Sequence, residues 1–490
     1  MGVLSNLEPK EVFHYFEEIC GIPHASYKEK QISDYCVKFA KDRGLAVTQD
    51  DLGNVIIIKD ATPGYEDKEP IILQGHLDMV CEKEADCDID FDKEGLRLAI
   101  DGDWIKAEGT TLGGDDGIAV AMGLAILDSK TIKHPRLEVV FTVSEEVGME
   151  GASGIDLSSL KGHRLLNLDS EKEGEFLVSC AGGAHAEIGM PVKRTKESGS
   201  LMKLSVTGLL GGHSGDEIDK QRANADKTIV RVLDLLKESV SFGLVDLFGG
   251  LKDNAIPREA NAYITLLEGD TEKAKDALKS IETAIRGEFA VSDPDLKISL
   301  REATAEEAGK CKERVGEGVL TQEDMARVLD FLNITPNGVQ RMCMDMPGLV
   351  ETSLNLGIMT MEADHFTVHY SVRSSVKSCK EQLLRQLKTF ADRFDCTYKV
   401  GGDYPAWEYK GKTPFLNLIV DTYQKRTGKE PLVRSIHAGL ECGLIAQKIK
   451  DLDAVSLGPD IPDIHTPKER LGISSTKRVW EFVLDVLRHG

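Results

Sequence analysis

The sequence predicts an α/β fold with a mostly parallel central sheet flanked by helices, interrupted by an inserted α+β domain. Three observations predict it. Helical and strand patterns alternate through the first 170 residues, and the strand candidates are apolar for most of their length, as strands buried on both faces are. From about residue 184 to 399 the strand candidates instead alternate apolar and polar residues, the mark of a sheet with one wet face. After Pro405 the buried texture returns, so residues 1–183 and 400–490 are read as two parts of one domain and 184–399 as an insertion. A chain of 490 residues also exceeds the size at which one hydrophobic core stops growing.

Element by element, residues 9–20 and 28–43 have the 3.6-residue apolar spacing of amphipathic helices. Strands are predicted at Asn54–Lys59, Pro70–Gln74, Leu137–Val143 and Arg164–Leu168, with a helix over Gly117–Leu127 after a glycine turn. In the insertion, strands are predicted at Met202–Thr207, Ala260–Leu266, Lys297–Leu300 and His365–Val372. Helices fall between them at about 222–238, 271–287, 322–332 and 378–393. The last part carries a helix near 414–426, a buried run over Glu441–Lys448, a strand at Ala454–Leu457 and a closing helix from about Ser475.

Composition narrows the function classes. Sixty Lys and Arg against 82 Asp and Glu leave a formal charge of -22, which repels phosphate backbones and anionic membranes, so nucleic acid and membrane partners are not expected. The N-terminal segment has neither a basic start nor an apolar core, no apolar run is long enough to span a bilayer, and the protein is expected in the cytoplasm. Gly2 does not begin a myristoylation signal, because Asn6 stands where Ser or Thr is required. The ten cysteines form no CxxC pair, and free structural thiols are expected, Cys81 and Cys87 included.

Five short motifs carry the chemistry. His76 and Asp78 follow an apolar strand and, two residues apart in extended chain, share a face; such a pair orients a metal-ligating imidazole, or is an ordinary hydrogen-bonded pair. Asp115 and Asp116 follow two glycines at a predicted helix start, where capping needs one acid and leaves a spare carboxylate with two oxygens to bridge two cations. Glu145 and Glu146 end another apolar strand, and adjacent side chains there point opposite ways, so one can bind a cation while the other holds a water; a solvated acidic turn is the plainer alternative. Asp169 and His465 close two further strand ends. A histidine and carboxylate set without cysteine suits zinc, cobalt or manganese.

In order along the chain the motifs read GHLDMV, TLGGDDG, SEEVGMEGA, NLDSE, GGHSG, NAIPREAN, HAGLECG and DIHTPKE. Together they resemble the co-catalytic zinc exopeptidases, the family that includes carboxypeptidase G, peptidase T and the acetylornithine and succinyl-diaminopimelate hydrolases, and most of all its dipeptidases, end to end. The resemblance implies a zinc-exopeptidase catalytic domain with an inserted lid, two divalent ions, and hydrolysis of unblocked dipeptides, Xaa-His among them. The alternative is another amidase of the superfamily, acting on N-acylated amino acids. It further implies that His76 and Asp169 hold one ion, Glu146 and His465 the other, and Asp115 both. Asp78 would orient His76, Glu145 would be the general base, and Asp116 would be structural, in a strained peptide after the bridging ligand. In the insertion, His213 would stabilise the reacting oxygen, and Asn254 and Arg373 would bind the substrate carboxylate. Gly439 would offer a main-chain contact beside His437. A homodimer through the lid is a further expectation, and whether His213 serves its own site or a partner's stays open. Ser214, in GGHSG, lacks the spacing and the strand-to-helix elbow of a serine nucleophile.

Overall fold

The computed structural model describes residues 2–196 and 198–490. Its contacts divide it into two compact units. The first comprises the N-terminal stretch through Cys180, Trp407–Ser435 and Leu440–Gly490; the second comprises Ala181–Ala406 and Ile436–Gly439. The four residues Ile436–Gly439, counted with 400–490 in the sequence, therefore pack with the second unit, and His437 and Gly439 go with them.

The first unit is built on an eight-stranded sheet in the order Ala46–Gln49, Val55–Lys59, Leu137–Thr142, Ile71–His76, Arg164–Asn167, Asp453–Ser456, Glu175–Cys180, Leu432–Ile436. The four central strands, from Leu137–Thr142 to Asp453–Ser456, pair in parallel. Outward from them, Val55–Lys59, Ala46–Gln49 and Glu175–Cys180 pair antiparallel. Every residue of Ile71–His76 and of Leu137–Thr142 is buried, which is why both read as unbroken apolar runs.

The helix Gly114–Asp128 packs against Ile71–His76 and against the helix Lys10–Cys20. It is buried on nearly all sides, as its run of small and aliphatic residues from Gly117 to Leu127 requires. Lys10–Cys20 turns Val12, Phe13, Phe16 and Ile19 inward at the 3.6-residue period. The parallel register then aligns the chemistry: His76 lies opposite Thr142, and Gln74 lies opposite both Val140 and Asn167. The C-terminal ends of neighbouring strands thus deliver His76, the 144–146 turn and Asp169 to one edge, where open α/β sheets place their sites.

The second unit is a nine-stranded sheet whose pairings are antiparallel. Its order is Lys297–Glu302, Ser200–Thr207, Ala260–Leu266, Phe242–Gly249, Val350–Met361, His365–Ser374, Gly182–Pro191, Thr397–Tyr404, with Gly338–Met342 also pairing Val350–Met361. Residues of the helices Ala225–Leu236, Asp270–Glu288, Gln322–Ile334 and Lys377–Arg393 join the strands in one apolar core. Among the described residues, no helix is long and apolar enough to cross a membrane, and the ten cysteines are free.

Candidate active site

In the first unit, five side chains far apart in sequence converge at the sheet edge. Asp115 lies between two imidazoles: Oδ1 is 3.1 Å from His76 Nε2 and Oδ2 is 3.2 Å from His465 Nε2. Asp169 Oδ1 approaches the same His76 nitrogen at 3.6 Å, and Glu146 approaches His465 Nε2 at 3.0 Å. Potential ligand atoms of His76, Asp116 and Asp169, of His76, Glu145 and Glu146, and of Asp115, Glu146 and His465 lie within 4.8 Å of one another in each set.

The tautomer of His76 follows from its surroundings. Nδ1 lies 3.0 Å from the main-chain oxygen of Asp78, and a carbonyl only accepts, so Nδ1 carries a proton and Nε2 is the nitrogen turned to the carboxylates. Nε2 faces two carboxylate oxygens, and although burial disfavours a charge on the ring, hydrogen bonding to Asp115 and Asp169 shifts its pKa upward; a second proton or a bound cation meets the same need.

Charge balance makes the same point. Six carboxyl groups, on Asp115, Asp116, Glu145, Glu146, Asp169 and Glu441, surround two imidazoles, and among the described residues no Lys or Arg pairs with any of the six. Burial pushes Asp169 and Glu441 up to about 7 and Glu145 well above the usual carboxylate range. Burial would lift Asp115 as well, but His465 and His76 hold it below its ordinary value. Hydrogen bonding to Asp115 and Glu146 lifts His465 to about 11. Two divalent cations would supply the missing positive charge, and oxygen and imidazole donors without thiolate are ligands they accept. The residues fit a dinuclear centre.

The supporting contacts differ in part from the expectation for Asp78. Its carboxylate is 3.5 Å from His76 Nδ1, longer than a hydrogen bond, and it is the Asp78 carbonyl that fixes the ring. The carboxylate instead accepts the main-chain N–H of Glu145 at 2.9 Å and of Glu146 at 3.2 Å, together with the Ser26 hydroxyl at 2.8 Å. It therefore holds the turn that presents both glutamates. Asp116 accepts the His76 N–H through Oδ2 at 3.2 Å, while its Oδ1 is buried without a hydrogen-bond partner; the Asp115–Asp116 peptide is cis.

Two residues passed over in the sequence complete the arrangement. Glu441, fully buried, accepts from Gln74 Nε2 and from the Thr142 hydroxyl, both at 2.6 Å. Glu469 accepts from the main-chain N–H groups of Leu112, Gly113, Gly114 and Asp115 at 2.8, 3.2, 2.8 and 3.3 Å. Glu441 and Glu469 are the glutamates of HAGLECG and DIHTPKE themselves, and that membership was the signal that could have found them. His465 adopts φ of +60°, a left-handed conformation uncommon outside glycine.

In the second unit, His213, Arg373 and His437 form a separate cluster with Asp216, which the sequence reading missed. The main-chain N–H of Asp216 is directed at His213 Nδ1 at 3.2 Å. The Asp216 carboxylate is 3.4 Å from the same ring and is held low by His213, with Arg373 and His437 adding to the effect. Gly215 permits this: a Cβ there would lie 2.5 Å from the His437 carbonyl oxygen. His437 Nε2 meets the Ser353 hydroxyl at 2.8 Å, and burial, with Arg373 nearby, pulls its pKa down to about 3. Arg373 is buried, donates from Nη1 to the Tyr404 hydroxyl at 3.0 Å, and its Nε has no protein partner. Asn254 supports the His213 loop through its carbonyl, which accepts the Ser214 N–H at 2.9 Å.

The chain belongs to peptidase family M20/M25/M40, whose sequence profile matches residues 72–489. Over 490 residues, 100% of this chain and 99% of the relative, it is 37% identical to the cytosol non-specific dipeptidase of Escherichia coli K12. The solved structure of aminoacylhistidine dipeptidase from Vibrio alginolyticus matches with a TM-score of 0.91 at 36% identity, covering 99% of this chain and 97% of that one. Aminopeptidase PepT from Bacillus cereus shares the fold, with a TM-score of 0.56 at 16% identity over 99% of each chain.

Proposed function

We propose that this protein hydrolyses the peptide bond of unblocked dipeptides, Xaa-His among them, in the cytoplasm. The observation that carries the reading is Asp115 set with one oxygen toward each of two histidines, each of which also faces a second carboxylate. His76 and Asp169 would hold one divalent ion, His465 and Glu146 the other, and Asp115 both; zinc suits the donors, with cobalt or manganese as alternatives. Ions held there supply Lewis acidity toward a carbonyl and lower the pKa of water.

The remaining steps belong to side chains. Glu145, beside Glu146 yet bound to neither histidine, takes a proton from the attacking water and returns it to the leaving amine. Asp78 fixes the turn from which it does so. Arg373 offers a planar fork to the substrate C-terminal carboxylate, with Asn254 assisting, and an anchored carboxylate limits substrates to short peptides. His213 Nε2–H donates to the oxygen of the scissile carbonyl as negative charge develops there. The main chain at Gly439, beside His437, contributes a further contact. The names of the Escherichia coli and Vibrio relatives support the substrate class.

The test is metal analysis joined to turnover of a panel of dipeptides and N-acetyl amino acids, before and after chelation. Dipeptide turnover that vanishes on chelation and returns with zinc, cobalt or manganese is expected, and Glu145→Gln should keep its metal and lose nearly all turnover. Preference for the N-acetyl amino acids, or undiminished activity in Glu145→Gln, refutes the assignment.

A further inference from the structure

Glu469 accepts four successive main-chain N–H groups, two on each carboxylate oxygen: Leu112 and Gly113 on Oε2, Gly114 and Asp115 on Oε1. The side chain is buried, and among the described residues it has no Lys or Arg partner. Its oxygens are met instead by these four main-chain N–H groups, in the turn ahead of the regular helix, with the non-helical angles of Asp115 and Asp116 marking the kink between them. The two glycines of the motif make room for this. Gly113 has φ of +65°, and a Cβ on it would lie 2.9 Å from Met79 Sδ; a Cβ on Gly114 would crowd Glu469 Oε1 at 3.3 Å and Ile461 at 3.2 Å.

The other end of the grip is equally informative. Glu469 lies four residues beyond His465, and its own N–H donates to the carbonyl of Thr466, the residue after that histidine, at 3.0 Å. One short turn therefore carries both His465 and the carboxylate that holds the backbone of Asp115. The two side chains meeting at 3.2 Å, His465 Nε2 and Asp115 Oδ2, stand on segments tied together by Glu469.

We propose that Glu469 is a positioning residue for the dinuclear centre: by gripping residues 112–115 it locks the distance between Asp115 and His465, and so the ability of Asp115 to serve two ions at once. This rests on the reading of Asp115 as the shared ligand. Removing a group that orients a ligand commonly costs 10–100-fold in metal affinity or activity.

Two measurements test it. In the wild-type enzyme, hydrogen–deuterium exchange should find the amides of 112–115 protected although they head a helix; rapid exchange there overturns the proposal without any variant. In Glu469→Gln, one of the two oxygens becomes an N–H donor facing N–H groups. Zinc and cobalt titration should then find the second equivalent bound about 10–100-fold more weakly, with kcat reduced at limiting metal, KM for a dipeptide unchanged, and faster exchange confined to 112–115. Two tight equivalents in Glu469→Gln overturn the proposal. Asp115→Asn separates the two ideas: loss of metal there with normal binding in Glu469→Gln removes Glu469 alone, whereas normal binding in Asp115→Asn removes the shared-ligand reading and this proposal with it.

Discussion

Replacing Asp78 with Asn keeps the size of the side chain and removes its charge, in a position that is essentially sealed from solvent. The carboxylate accepts from Glu145 N–H on one oxygen and from Glu146 N–H and the Ser26 hydroxyl on the other. An asparagine can keep one of these oxygens. The orientation that costs least turns the amide nitrogen toward Glu145, leaving that N–H without an acceptor in the interior at about 1–3 kcal/mol. The same change releases the peptide that aims Glu145, so a fall of about 10–100-fold in turnover or metal affinity is expected. Urea unfolding monitored by tryptophan fluorescence gives the first number, and metal titration with dipeptide kinetics gives the second. Ser26→Ala is the control, since it deletes one acceptor-side contact and leaves both backbone bonds, at about 1 kcal/mol. An Asp78→Asn enzyme with unchanged unfolding midpoint, metal affinity and kcat would refute the reasoning.

Arg373→Ala should raise the KM for dipeptides about 10–100-fold, the worth of a charged hydrogen bond or two, while metal content stays whole; kinetics equal to wild type remove Arg373 from substrate binding. His437 stays neutral in the folded protein to about pH 3, whereas an unfolded histidine takes up its proton near pH 6.5. The unfolded state thus binds the extra proton between these values, and stability should fall as pH drops from about 6.5 toward 3. His437→Gln should flatten that slope in urea melts at pH 8 and pH 5, and an unchanged slope contradicts the assignment. A Cβ at Gly75 would lie 2.6 Å from both Ala119 Cβ and Asp116 Oδ2, so Gly75→Ala should destabilise by about 1–3 kcal/mol and weaken metal binding; a fully stable variant would show that the helix can shift at no cost.

The strands and helices that stood out in the sequence are those whose burial follows one period. Ile71–His76 and Leu137–Thr142 are buried throughout, and Ser200–Thr207 alternates, so each leaves a plain hydrophobic signature. Others do not. Val350–Met361 is buried along most of its length yet begins with Glu351, Thr352, Ser353 and Asn355, and Gly182–Pro191 opens on two glycines, so neither reads as apolar. At the edge of the first sheet, Ala46–Gln49 has four residues and is mostly exposed. The helix predicted from Gly117 holds: the assigned element runs from Gly114, but Asp115 and Asp116 have non-helical backbone angles, so the regular helix starts after them.

Three of the side chains that meet at the sheet edge, His76, Glu146 and Asp169, were legible because they sit at or just past strands that hydrophobic patterning reveals, whereas Asp115 in a kinked turn before a helix and His465 in a turn beyond Ser456 stood out by motif alone. Glu441 and Glu469 were passed over, because they act on groups hundreds of residues away, through main-chain amides or a buried amide and hydroxyl. Such contacts impose no spacing on the chain. Asp216 was hidden differently, as an ordinary-looking loop acid beside a histidine that drew all the notice. The part of the Asp78 carbonyl, nearer to the imidazole than the carboxylate is, could not have been read from an extended-strand argument that tracks side chains alone.

Chain order gives the centre a timetable. His76, Asp115, Glu146 and Asp169 all emerge from the ribosome before the insertion begins, whereas His465 and Glu469 follow only after it has been made. At about 5–20 residues per second the interval lasts tens of seconds. Throughout it the nascent polypeptide carries an acid-rich edge with a single imidazole and an ungripped glycine turn. On the proposed ligand set, the second ion would find its histidine only once the insertion has been made.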